Sequence, residues 1–185
     1  MLDLSQVNKE WTLFLDRDGV INHDVEPYTL HKSQFVFYEG VLEALEIFNG
    51  IFKYILIATN QRGVARKLMS ENDLLDIHEF MLEQVNVSGG RIDKIYYCTS
   101  IDDDHPNRKP NPGMALDAMK DHPLISKHHS IMVGNNISDM QFGRNAGLHT
   151  VLLTTTGVIV ELPHPLVDRQ YGSLIEFARD LKKHQ

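Results

Sequence analysis

Short apolar runs rich in β-branched and aromatic residues alternate along this chain with segments whose apolar positions recur at helical spacing. The runs at 11–15, 54–58, 92–97, 130–133 and 150–153 predict strands. Their nearly unbroken apolar character predicts a parallel sheet buried on both faces, where no polar alternation is needed. Helical periodicity falls at 40–49, 70–86, 113–121 and 139–146, with a last segment at 173–183. Ser70 with Asp73, and Ser173 with Glu176, have the spacing of N-terminal capping boxes, while Gly50, Gly89, Gly90 and Gly147 stand where helices should stop. Pro163 and Pro165 predict a loop ahead of a final packing helix, and the segment 34–38 reads as core or sheet-edge packing. There is no repeat, low-complexity tract or dividing linker. Residues 1–185 therefore predict a single α/β domain, a three-layer doubly wound fold with a mostly parallel central sheet and right-handed crossovers.

Composition narrows the function classes. A chain of 185 residues can bury a substantial core, and 42% hydrophobic with 23% charged residues is ordinary for a soluble globular protein. The net charge of -7 argues against a nucleic-acid partner, whose footprint would be basic. It leaves room for a small anion held by a local cluster of Arg and Lys. The single cysteine, Cys98, rules out an intrachain disulfide and any multi-cysteine metal site. The N-terminus lacks the basic-then-apolar pattern of a signal peptide, and no apolar run reaches membrane-spanning length. A cytoplasmic location with no membrane partner is the expectation.

The candidate chemistry is concentrated in the segment 13–22, where an apolar strand runs out into a glycine turn carrying Asp16 and Asp18. Residues i and i+2 of an extended chain point the same way, so both carboxylates can face one site. Gathering like charges is costly unless a cation neutralises them or one holds a proton, which makes the pair a candidate magnesium and phosphoryl-transfer site. Ligands of open α/β sheets bind beyond the carboxyl ends of the strands. Thr59 and Asn60 follow the second strand, Lys109 lies in the loop region after the third, and Asn135 to Asp139 follow the fourth. Four strand ends thus deliver two acids, a hydroxyl, a cation and a polar pair to one edge. Phosphoryl transfer needs this set: a carboxylate nucleophile, oxygen ligands for Mg²⁺, a lysine for the phosphoryl oxygens, and an acid to handle the leaving group and water.

In this order the residues resemble the haloacid dehalogenase superfamily of aspartate-nucleophile phosphatases. The resemblance rests on Asp16-Arg17-Asp18-Gly19, Thr59-Asn60, Lys109, and Gly134-Asn135 with Asp139, and spans residues 11–155. Finer stretches at 16–22, 59–66 and 108–114 are similar to the branch containing D,D-heptose 1,7-bisphosphate and histidinol-phosphate phosphatases, which are small, capless and magnesium-dependent. The resemblance implies a capless fold with no separate cap domain, Asp16 as nucleophile and metal ligand, and Asp18 as general acid/base with its carbonyl on the metal. It implies Thr59 and the Asn60 backbone at the transferring phosphoryl group, Lys109 on its oxygens, and Arg66 and Arg108 as substrate contacts. Asp139 would support the metal through water.

Two departures stand out. Relatives usually have Gly-Asp where this chain has Gly134-Asn135, so one metal-ligating charge is missing and weaker metal binding is expected. Relatives often carry a zinc clip before Arg108, and here only Cys98 and His105 are available, so no zinc is expected. The run 102–104 of three aspartates reads as a solvated acidic loop. Among the histidines, His78, His122 and His184 read as exposed helix residues. His128 and His129 would point to opposite faces of a strand, and His23 is the one to watch near substrate. The implied activity is a Mg²⁺-dependent phosphomonoesterase forming an aspartyl-phosphate on Asp16, with specificity from loops 22–33, 61–68 and 99–108. Its substrate would be a small phosphorylated metabolite: a sugar phosphate or bisphosphate such as heptose 1,7-bisphosphate, or histidinol phosphate. The competing reading is a catalytically weakened protein that binds a phosphorylated ligand or partner, resting on Asn135. A monomer or weak dimer is expected.

Overall fold

The computed structural model describes residues 2–185. The apolar runs become β1 (Thr12–Leu15), β2 (Tyr54–Asn60), β3 (Lys94–Cys98), β4 (Ser130–Gly134) and β5 (His149–Leu153). A further strand, β6 (Arg169–Tyr171), completes one sheet of order β3-β2-β1-β4-β5-β6, every neighbouring pair parallel. The helices are α1 (Val41–Ile51), α2 (Arg62–Ala65), α3 (Glu71–Val87), α4 (Gly113–Asp121), α5 (Ile137–Ala146) and α6 (Leu174–Lys182). Successive strand residues face opposite sides of a sheet. Leu13 and Leu15 therefore join one apolar cluster with Leu45 and Phe48 of α1, Ile77 of α3 and Phe177 of α6, whereas Phe14 joins another with Met114 of α4 and Phe142 of α5. Both faces are covered, as the unbroken apolar runs require.

Several local expectations meet their physical limits. β6 and the four-residue α2 are not visible in the pattern, because Arg-Gln-Tyr carries no apolar run; β6 exists by pairing with β5, Val151 opposite Arg169. Gly50 lies inside α1, which continues to the buried Ile51, whereas Gly89 (φ +82°) and Gly147 (φ +80°) do close their helices in left-handed backbone. Ser70 and Asp73 form the reciprocal box: Asp73 N–H donates to Ser70 Oγ (3.1 Å) and Ser70 N–H to Asp73 Oδ2 (2.8 Å). At α6, Ser173 Oγ accepts from Glu176 N–H, but Glu176 accepts from Gly172 instead of Ser173. His78 is a correction: it is buried, because it shares a helical face with Leu74, Ile77, Met81 and Val85. His128 and His129 lie in a 3-10 turn (Lys127–His129), with His129 stacked 5.4 Å from Trp11. In the 34–38 segment, Phe35 is buried with its ring edge-on to Phe37 and Phe80.

The sheet order also locates the site. The chain moves outward from β1 through β2 to β3, then returns to the other side of β1 with β4. Strand order reverses between β1 and β4, and their carboxyl ends form the crevice where open α/β sheets bind ligands. Asp16 N–H donates to the Val133 carbonyl (3.0 Å), carrying the β1–β4 ladder one residue into that crevice. Among the described residues no helix is long and apolar enough to cross a membrane.

Candidate active site

Beyond β1 the chain must turn at once. The Arg17 carbonyl accepts from the amides of Ile21 (2.8 Å) and Asn22 (3.2 Å), and Gly19 takes φ +80°. Glycine is required there twice over: a Cβ would strain the left-handed backbone and would lie 2.2 Å from Asn135 Nδ2. The turn leaves Asp16 and Asp18 on the wall of a cavity of about 310 Å³, shared with Thr59, Asn60, Lys109 and Asp139. Six of the residues proposed from four strand ends thus converge.

Their electrostatics differ. Lys109, almost fully buried, places Nζ 2.9 Å from Asp16 Oδ1 and 2.6 Å from Asp139 Oδ1. Burial pushes the Asp16 carboxyl up to about 7, with Lys109 pulling it down and Asp139 and Asp18 adding to the rise. Burial alone would lower the Lys109 ammonium, but Asp139 and Asp16 outweigh it and raise the group, so it stays charged. Asp18 also suffers from burial, yet it is held below the ordinary carboxylate value by the Arg17 guanidinium and by hydrogen bonds from Asn22, Arg17 and Gln61. Arg17 Nη2 donates to both Asp18 oxygens (2.9 Å each), Asn22 Nδ2 to Oδ1 (2.9 Å) and Gln61 Nε2 to Oδ2 (2.8 Å).

Neighbouring side chains hold these candidate groups in place. Asn60 Nδ2 donates to the Lys109 carbonyl (3.1 Å) and its Oδ1 accepts from the Lys109 N–H (3.0 Å), pinning the lysine loop to the end of β2. Asp139 Oδ2 accepts from the amides of Asn135 (3.2 Å) and Asn136 (3.0 Å) at the start of α5, so both of its oxygens are engaged. Gln61, which sequence reasoning left unassigned beside Thr59-Asn60, bridges Asp18 and Thr59 Oγ1 (2.9 Å).

The structure does not bring Arg66 and Arg108 to the cavity wall. Arg66 is exposed, its guanidinium carbon 5.7 Å from the Tyr28 ring centroid. Arg108 is buried in its own loop, bonded to Asp103 Oδ1 (2.9 Å) and the Ser100 carbonyl (3.2 Å), so one residue of the acidic run is an anchor as well as a solvated charge. Arg62 occupies the wall instead, together with Asp24 and Glu26, while the His23 ring packs tilted against Tyr38 (centroids 3.9 Å apart) and is not on the wall.

Asn135 is fully buried: Nδ2 donates to Thr156 Oγ1 (3.1 Å), and Oδ1 is left without any donor. Among the described residues no group of three or more His, Cys, Asp or Glu is arranged to hold a metal. A hard divalent cation in the cavity would take its oxygens from the Asp16 carboxylate, neighbouring carbonyls and water, a mixture that Mg²⁺ accepts; Asn135 is not itself on the cavity wall, but its unpaired, buried Oδ1 is a further candidate oxygen. The residues present therefore fit such an ion.

A HAD-hydrolase-like family model matches residues 106–162. The D-glycero-α-D-manno-heptose-1,7-bisphosphate 7-phosphatase of Campylobacter jejuni is 40% identical over 145 residues, 78% of this chain and 83% of the relative. The chain belongs to this family of HAD-like phosphatases. The β-anomer-named phosphatase of Rhodopseudomonas palustris is 36% identical over 169 residues, covering 87% and 93% of the two chains. Among solved structures, the D,D-heptose 1,7-bisphosphate phosphatase of B. bronchiseptica, complexed with magnesium and phosphate, superimposes with a TM-score of 0.86 at 27% identity, covering 95% of this chain and 99% of that one. Membership decides for an enzyme over a binding-only protein.

Replacing Gly19 by Ala should destabilise this phosphatase by about 1–3 kcal/mol and displace Asn135. Urea unfolding followed by circular dichroism measures the first; an unchanged midpoint would contradict the contact.

Proposed function

We propose that this phosphatase removes one phosphate from a heptose 1,7-bisphosphate in a Mg²⁺-dependent reaction through an Asp16 aspartyl-phosphate. The observation that carries the reading is the Lys109 ammonium seated between Asp16 and Asp139 on a cavity that also holds Asp18 and Thr59. Asp16 attacks phosphorus; Lys109 and the Thr59 hydroxyl bind the phosphoryl oxygens, and the Asn60 amide lies beside them. Asp18 delivers a proton to the leaving sugar oxygen from a protonated form, which the negative charge of the bound phosphates favours over the ionised form that Arg17 holds in the free site. Once ionised and clamped on Arg17, the same carboxylate takes a proton from the water that attacks the phosphoenzyme. Asp16, the Asp18 carbonyl and Asn135 would hold Mg²⁺, which when bound supplies positive charge against the phosphoryl oxygens. The engaged oxygens of Asp139 favour a place behind Lys109, supporting the ion at most through water.

The substrate reading has support in the cavity wall. Besides Lys109, Arg62 is the one cation among its lining residues, and no ion pair neutralises it among the described residues. A second phosphate on the substrate suits it, and Asp24 and Glu26 suit the sugar hydroxyls. Zinc has no place in this reading: Cys98 Sγ and His105 Nδ1 face each other at 3.5 Å in a loop that Arg108 already ties together. Residues 1–185 act as one capless domain in the cytoplasm, as a monomer or weak dimer.

The decisive experiment is steady-state phosphate release from both heptose 1,7-bisphosphate anomers, fructose 1,6-bisphosphate and histidinol phosphate, with Mg²⁺ or with chelator. A heptose bisphosphate should give the highest kcat/KM, and Asp16→Asn and chelated samples should fall to background. Histidinol phosphate as best substrate would overturn the sugar assignment. Arg62→Ala should raise KM for the bisphosphate about tenfold while leaving a heptose monophosphate within about twofold. Asn135→Asp restores a charged ligand, so half-saturation by Mg²⁺ should come at about tenfold lower concentration; an unchanged magnesium curve would place Asn135 outside the coordination sphere.

A further inference from the structure

Arg17 stands between two groups. Its Nη2 donates to both Asp18 oxygens, and its Nη1 lies 3.2 Å from Nε2 of His78, sixty-one positions away in α3. The guanidinium is almost completely buried, 6.0 Å from the Phe35 ring centroid, and its Nε has no hydrogen-bond partner. His78 is therefore the side-chain acceptor that fixes the far end of Arg17. An arginine has no acceptor atom of its own, so Nη1 must donate and Nε2 must carry the lone pair, with the ring proton on Nδ1. Burial, with the charge of Arg17 behind it, lowers His78 to about 3, consistent with a neutral ring. His78 is 4% exposed and is not on the wall of the active cavity; its edge reaches a separate shallow groove beside Leu75, Glu79 and Tyr97.

We propose that His78 is a positioning residue for phosphoryl transfer: by accepting from Arg17 it holds the guanidinium that orients Asp18. The inference rests on the assignment of Asp18 as acid/base but extends it to a helix that contributes nothing else to the site. The sequence hides this role. In sequence His78 reads as an exposed helix residue, although it shares a face with Leu74, Ile77 and Met81. Without the acceptor the guanidinium keeps its grip on Asp18 but loses its fixed direction. The effect belongs in kcat, where Asp18 works, and not in KM, because His78 touches no substrate.

Two measurements test it on the intact protein. In ¹⁵N-histidine-labelled wild type at neutral pH, His78 should show Nε2 as an unprotonated acceptor and Nδ1 carrying the proton; a proton on Nε2 would overturn the contact with no variant needed. In kinetics, His78→Leu should lower kcat about tenfold with KM unchanged, and His78→Gln, whose carboxamide oxygen can accept from Arg17, should stay within about twofold of wild type. Full kcat in folded His78→Leu, or equal losses in both variants, would reduce His78 to packing. If His78→Leu does not fold, the nitrogen spectrum and His78→Gln still decide. Should wild type and the Asp16→Asn blank release phosphate equally, the catalytic reading fails and the positioning role falls with it, whereas a proton on Nε2 in an active enzyme sinks the positioning role alone.

Discussion

The Lys109 ammonium, buried between two carboxylates, is the interaction on which the site depends. An ammonium removed from water is tolerated only with close opposite charge, and removing one partner of such a group typically costs about 3–5 kcal/mol. Each of its partners belongs to a different part of the fold: Asp16 to the end of β1, Asp139 to the first turn of α5. The loop that carries the lysine is itself tied to the end of β2 by Asn60, on both sides of the Lys109 peptide unit. Lys109 thus ties three parts of the crevice together, its ammonium joining the end of β1 to the start of α5 and its main chain joining the end of β2.

The two aspartates of the β1 turn have been separated chemically although only one residue lies between them. Asp16 shares a dry environment with Asp139 and is pushed upward, restrained by Lys109. Asp18 is held low by Arg17 with help from Asn22 and Gln61. Divergent surroundings set paired carboxylates apart: here Asp18 is the more readily ionised of the two, and a cation beside Asp16 would pull its carboxyl back down. The turn itself is possible because Gly19 leaves room for Asn135, whose side-chain oxygen is buried with no protein donor to satisfy it, as is that of Asn22.

The loop after β3 is tied together by its own side chains. Arg108 binds Asp103 and the Ser100 carbonyl, and Asn111 Nδ2 binds the carbonyls of Asp103 and His105 (3.0 Å each). An arginine spent on its own loop is not on the cavity wall, which leaves Arg62 as the cation there.

Much of this was legible in the chain, and the reason is periodicity. Alternating strand and helix patterns are local, so the five apolar strands, the five longer helices and the strand-end positions of Asp16, Asp18, Thr59, Lys109 and Asp139 could be read directly. β6 was not, because a three-residue half-buried strand has no pattern apart from the neighbour it pairs with. Equally, an arginine looks the same in sequence whether it faces a cavity, a tyrosine ring or its own loop, and a histidine looks the same whether it is solvated or buried against Arg17. The sequence alone determined the fold class and the strand ends at which the candidate groups stand, since both depend on short-range spacing. The tertiary structure alone decided which long side chains reach the substrate space and which merely hold others in place, since that depends on contacts between elements as far apart as β1 and α3.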